Sequence, residues 1–136
     1  MRLLTRLPKL LLVGGMVCAG LFVATPAAQA AITDCGDTFY GVCLWDYAGF
    51  DGGPNVRVPA NTGGTPQTTN VSAAFNDHMT SWSNNSYTRD ARWFYNANGT
   101  GTTRCMNPGA SNSNVGWLDN DELSSVVTYT NANACT

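Results

Sequence analysis

Two stretches, Asn76-Asp77-His78-Met79-Thr80-Ser81 and Asn120-Asp121-Glu122-Leu123-Ser124-Ser125, lie 44 residues apart and share one template. Each has two Asn/Asp residues, two free positions, a Ser/Thr and a final Ser. The second runs directly into Val126-Val127-Thr128-Tyr129-Thr130, which has the β-branched and aromatic content of a strand. Oxygens this dense beside a strand suit a hard cation. The competing reading is structural, because Asn, Asp, Ser and Thr also bond their own backbone in ordinary turns. An EF-hand is excluded, since neither stretch has the required Gly and distal Glu.

Outward from this pair, the chain begins with a segment that is not expected to belong to the fold. Arg2, Arg6 and Lys9 precede an apolar run, Leu10 to Val23, and Ala28-Gln29-Ala30 supplies a small-x-small cleavage site. Residues 1–30 therefore read as a secretory signal peptide, with Ala31 as the new N-terminus and residues 31–136 as one domain. The apolar run is too short for a membrane anchor. The mature part has four Arg, no Lys and nine acidic residues, a net charge of about −5. That balance argues against nucleic acid and against an anionic membrane, both of which need a basic patch. The expected product is a secreted, extracellular monomer.

Cys18 leaves with the signal, and Cys35, Cys43, Cys105 and Cys135 remain. An even count in a small exported domain reads as two disulfides. Of the three pairings, Cys35–Cys43 with Cys105–Cys135 is favoured because each ties a terminal tail to a nearby strand. Zinc is not expected, since there is no Cys-x-x-Cys unit and a single His.

Between the tails the pattern predicts two copies of a four-strand unit. The first runs through Thr38 to Trp45, a Gly-rich turn at residues 48–53, Asn55 to Val58, a polar loop from Pro59 to Asn70, Val71 to Phe75, and a strand around Trp82. The second runs through Tyr87 to Tyr95, a turn at residues 98–101, Thr102 to Met106, a loop from Asn107 to Asn114, residues 115–118 and the final strand. Short, evenly spaced strands with Gly/Asn turns indicate an all-β sandwich. Trp82, Trp93 and Trp117 are expected in its core rather than on a sugar-binding face.

Trp45-x-x-x-x-Phe50-x-Gly52 resembles the aromatic-x4-aromatic-x-Gly signature of the βγ-crystallin Greek key. Phe94-x-x-x-x-Gly99-x-Gly101 keeps the spacing, with Gly99 in place of the second aromatic. Both Asn-Asp stretches resemble the family's calcium motif, so the resemblance implies a βγ-crystallin-like sandwich of two Greek-key motifs that exchange calcium ligands. It assigns the His78 carbonyl, the Thr80 hydroxyl and Asp121 to one site. The Glu122 carbonyl, the Ser124 hydroxyl and Asp77 go to the other.

The start of the domain is similar to a narrower group. Cys35, Gly41-x-Cys43-Leu44-Trp45 and Phe50-x-Gly52 resemble the opening of the secreted microbial metalloproteinase inhibitors, peptidase inhibitors of single βγ-crystallin fold. That resemblance implies a secreted metalloprotease as partner and a contact at a disulfide-bonded Cys followed by an apolar residue. Cys105-Met106 is the counterpart here, although no second Cys closes a small loop after Met106. The alternative is a calcium-binding extracellular module, structural or killer-toxin-like, without a protease target. An enzyme is not expected: no Gly-x-Ser-x-Gly, His-Glu-x-x-His or phosphate loop is present, and His78 sits where its backbone, not its ring, is wanted.

Overall fold

The computed structural model describes residues 35–36 and 38–136. The expected secretory signal, residues 1–30, and its expected cleavage site lie outside them. Eight strands follow in order: β1 (Gly41–Trp45), β2 (Val56–Pro59), β3 (Gln67–Asn70), β4 (Ser81–Asn84), β5 (Ala91–Asn96), β6 (Thr100–Met106), β7 (Ser111–Asn112) and β8 (Ser125–Thr128). They form two four-stranded sheets of order β2-β1-β4-β7 and β3-β8-β5-β6.

The order reveals the duplication. In the first unit β1, β2 and β4 share a sheet while β3 crosses to the other. In the second, β5, β6 and β8 share a sheet while β7 crosses back. Each Greek key thus completes its partner's sheet, and neither half can form its own core alone. This is the all-β sandwich of two Greek keys expected from the pattern.

The core follows from strand alternation. Val42 and Leu44 of β1 point between the sheets with Val58, Trp82, Ala91, Trp93, Met106, Leu123 and Val126. The opposite face of β1 is buried as well, since Cys43 and Trp45 pack with Cys35 and Phe50. Disulfides Cys35–Cys43 and Cys105–Cys135 tie the tails to β1 and β6. At the second tail, Asp90 also accepts a hydrogen bond from Cys135 N at 2.9 Å.

Three features differ from the expectation. The third strand of the first unit is Gln67–Asn70, inside the stretch read as a loop, and the chain turns over 73–77 where 71–75 was expected to extend. Every residue of that strand is exposed, so it has no apolar alternation to betray it. The second unit repeats this, with β7 at Ser111–Asn112 and a turn beginning at residue 117. Trp117 is 86 % exposed rather than buried. Among the described residues, no helix is long and apolar enough to cross a membrane.

Candidate functional site

The two Asn-Asp stretches meet. Asp77 N donates to Leu123 O at 3.0 Å, and Asp121 N donates to Met79 O at 3.3 Å. Each stretch also bonds its own hairpin: Thr80 N to Trp45 O and Ser124 N to Phe94 O, both at 2.9 Å. A further pair crosses between units, Val115 N to Thr80 O at 3.0 Å and Val71 N to Ser124 O at 3.1 Å. The arrangement is a local two-fold.

The template residues now have separate tasks. Asp77 and Asp121 both adopt φ 59°, a left-handed turn that Asn and Asp tolerate better than most residues. The fourth position, read as free, is the core plug: Met79 and Leu123 have no exposed surface. The final Ser is a latch, with Ser81 Oγ donating to Tyr47 O and Ser125 Oγ to Asn96 O, each at 2.7 Å. Among the described residues, the His78 and Glu122 carbonyls and the Thr80 and Ser124 hydroxyls enter no hydrogen bond. These are the oxygens left for a ligand.

Around the first stretch Thr80 borders a cavity of about 540 Å³, lined also by Asn120 and Asp121 together with Asp46, Tyr47 and Trp117. Thr80 and Asp121, paired on the resemblance, therefore share one space. His78 has an exposed ring whose Nδ1 lies 3.5 Å from Asp46 Oδ1. The sequence singled out Asn120 only as the first residue of its stretch and Asp46 not at all; Asp46 follows β1 directly and meets the site only through the tertiary fold. Among the described residues, no group of three His, Cys, Asp or Glu side chains is placed to hold a metal. Two carboxylates, an amide and a hydroxyl form an all-oxygen set that fits calcium and not zinc.

The second stretch differs in its surroundings. Asp77 Oδ2 accepts from Asn76 Nδ2 at 2.6 Å, and Ser124 is buried. The position matching Asp46 is Tyr95, whose hydroxyl donates to Asp119 and, at 3.2 Å, to Leu118 O. Arg104 Nη2 pairs with Asp119 at 2.7 Å, and its guanidinium lies 5.7 Å from the Tyr95 ring centre. The hydrogen bond to Asp119, reinforced by burial, raises the Tyr95 phenol above its ordinary value.

The expected protease contact at Cys105–Met106 needs correction. Met106 is the last residue of β6, pairs with Ala91 and has no exposed surface. Its side chain fills the core and cannot enter an enzyme pocket while β6 stays in its sheet. Cys105 is held partly buried by its bond to Cys135.

Residues 28–106 match the sequence pattern of peptidase inhibitor family I36. The chain belongs to that family. The match spans the first Greek key and the first two strands of the second. No curated protein matches the I36 chain. Among solved structures, a betagamma-crystallin domain from Clostridium beijerinckii is 25 % identical with a TM-score of 0.50, covering 66 % of this chain and 98 % of its own. A point mutant of that domain gives the same figures. A structure described under the evolution of the eye lens beta-gamma-crystallin domain fold is 20 % identical with a TM-score of 0.52, covering 66 % of this chain and 85 % of its own. The fold is that of the βγ-crystallins.

Proposed function

We propose that this I36 chain is a secreted inhibitor of an extracellular metalloprotease, not an enzyme, whose sandwich is stabilised by calcium held between its two Greek keys. Membership of the peptidase inhibitor family carries the reading. Two disulfides and an acidic mature domain suit an exported protein. Inhibition requires a surface that stays rigid in the enzyme's cleft, and a sandwich tied at both tails provides such a scaffold.

Calcium enters as a stabiliser. His78, Thr80 and Asp121 would hold one ion and Glu122, Ser124 and Asp77 the other. Asp46 adds a second carboxylate to the first site, so that site should bind more tightly. The ion would cross-link the halves at the point where their backbones already exchange hydrogen bonds.

The test is inhibition of thermolysin by the mature secreted chain in calcium-containing buffer. Inhibition at micromolar protein or below is expected, and its absence would overturn the inhibitor reading. Separately, calcium at a hundredfold excess over its dissociation constant should add about 2.7 kcal/mol of stability. Asp121→Ala should remove more of that gain than Asp77→Ala. An unfolding curve indifferent to calcium would refute the metal role alone.

A further inference from the structure

We propose that the turn Gly116–Asp119 is the surface that engages the protease, with Trp117 and Leu118 entering an apolar specificity pocket of the cleft as side-chain plugs. This rests on the inhibitor reading and names the contact that Met106, sealed in the core, cannot make.

Exposure comes first. Trp117 is 86 % and Leu118 63 % exposed, an adjacent pair of large apolar side chains at the tip of a turn. Trp is enriched among residues that dominate binding energy at protein interfaces, and it is contiguous apolar surface rimmed by polar residues, not a lone exposed side chain, that marks an interaction site. Tyr47, 62 % exposed, shares the neighbouring cavity with Trp117 and widens the patch. The other exposed aromatics, Tyr40 and Tyr87, pack edge to face on each other at 6.4 Å. They sit at the opposite end of β1.

Rigidity comes second. Before the tip, Asn112 Oδ1 accepts from Asn114 N and Asn114 Oδ1 from Gly116 N, each at 3.0 Å. Across it, Gly116 O accepts from Asp119 N at 3.2 Å and from Asn120 N at 2.9 Å. After it, Tyr95 holds Leu118 O, and Arg104 holds Asp119. A turn braced on three sides loses little conformational freedom on docking, which favours affinity.

The same bonds determine the mode of binding. Gly116 has φ 84°, and the two bonds to its carbonyl close the backbone into a loop. A protease cleaves extended peptide, so this loop presents side chains without offering the Trp117–Leu118 bond for hydrolysis. The turn blocks the cleft and survives.

The experiment measures inhibition of thermolysin by the mature chain, by Trp117→Ala/Leu118→Ala and by the control Tyr40→Ala/Tyr87→Ala, with melting curves for each and mass spectrometry after incubation. The turn variant should melt with the wild type and inhibit about a hundredfold less, while the control inhibits normally and the wild-type chain stays intact. Unchanged inhibition by the turn variant would overturn the contact and leave the inhibitor reading standing. Equal loss in the control, or cleavage between Trp117 and Leu118, would also overturn it. A wild-type chain that does not inhibit removes both.

Discussion

The two Greek keys have nearly the same backbone and quite different side chains. Gly49 and Asn98 occupy one position with φ 72° and 62°, Phe50 and Gly99 the next with 64° and 68°, and Gly52 and Gly101 follow with 79° and 80°. In the first key the Phe50 ring packs on Trp45 at 5.2 Å, and its burial offsets the cost of a left-handed aromatic residue, about 1–2 kcal/mol. In the second key a Cβ on Gly99 would stand 2.9 Å from Val127 Cγ2, so no side chain fits. A polar latch replaces the ring: Gly99 N donates to Ser125 Oγ at 3.0 Å, and Asn98 N to Asn70 Oδ1 at 2.7 Å. The fold therefore requires the folded hairpin, and the aromatic is one of two ways to hold it.

If the halves are equivalent where it matters, their core plugs should cost alike. Met79→Ala and Leu123→Ala each empty a fully buried position, and each should lower stability by about 2–5 kcal/mol in urea unfolding. A loss below about 1 kcal/mol at either position would show that its stretch is not seated as its twin is.

The disulfides break the symmetry and allow a sharper comparison. Cys35–Cys43 spans 8 residues and Cys105–Cys135 spans 30. Chain entropy alone makes the short bridge worth about 2.5 kcal/mol and the long one about 3.6 kcal/mol. Paired Cys→Ala variants should therefore differ by about 1 kcal/mol, with the second key losing more. Burial opposes this, because Cys35 and Cys43 are sealed against Trp45 whereas Cys105 and Cys135 are only partly covered. A reversed order in denaturant midpoints would mean that packing outweighs loop length.

The same contrast explains what the sequence could tell. Each copy of the Asn-Asp stretch and the Trp45 signature is a short local pattern, and the cysteines are few and even in number; the duplication, fold class and bridges were legible from them. β3 was not, because Gln67–Asn70 has every side chain in water and its pairing to β8 leaves no period of two. Residues 115–118 read as a segment of the second four-strand unit with Trp117 in the core, yet Gly116 turns the chain and leaves Trp117 outside. Met106 looked like a free residue after a cysteine, whereas its register opposite Ala91 sends it inward. Asp46 reaches the cavity only because β1 ends beside the partner key's loop. Each miss depends on a tertiary neighbour that local pattern does not encode.

The smallest effect tests the pair Asp46 and Tyr95, which hold equivalent places. In the first key the carboxylate faces the cavity, whereas in the second the phenol is committed to Asp119 beside Arg104. Its raised pKa means that the folded state holds the phenolic proton more tightly than the unfolded state. The stabilisation is thus fully present below the unfolded value near pH 10 and is lost as pH rises through the folded value. Tyr95→Phe should cost about 0.5–1 kcal/mol at pH 7, the contribution of a partly solvent-screened hydrogen bond. Above pH 10 the gap between the two proteins should narrow, because only the wild type has this proton to lose. Urea midpoints measured from neutral to alkaline pH, alongside ultraviolet titration of the phenols, check both statements. Equal midpoints for the two proteins at pH 7 would mean that the Tyr95 ring, which Phe retains and which stacks 5.4 Å from Trp93, stabilises the second key through packing and not through its hydroxyl.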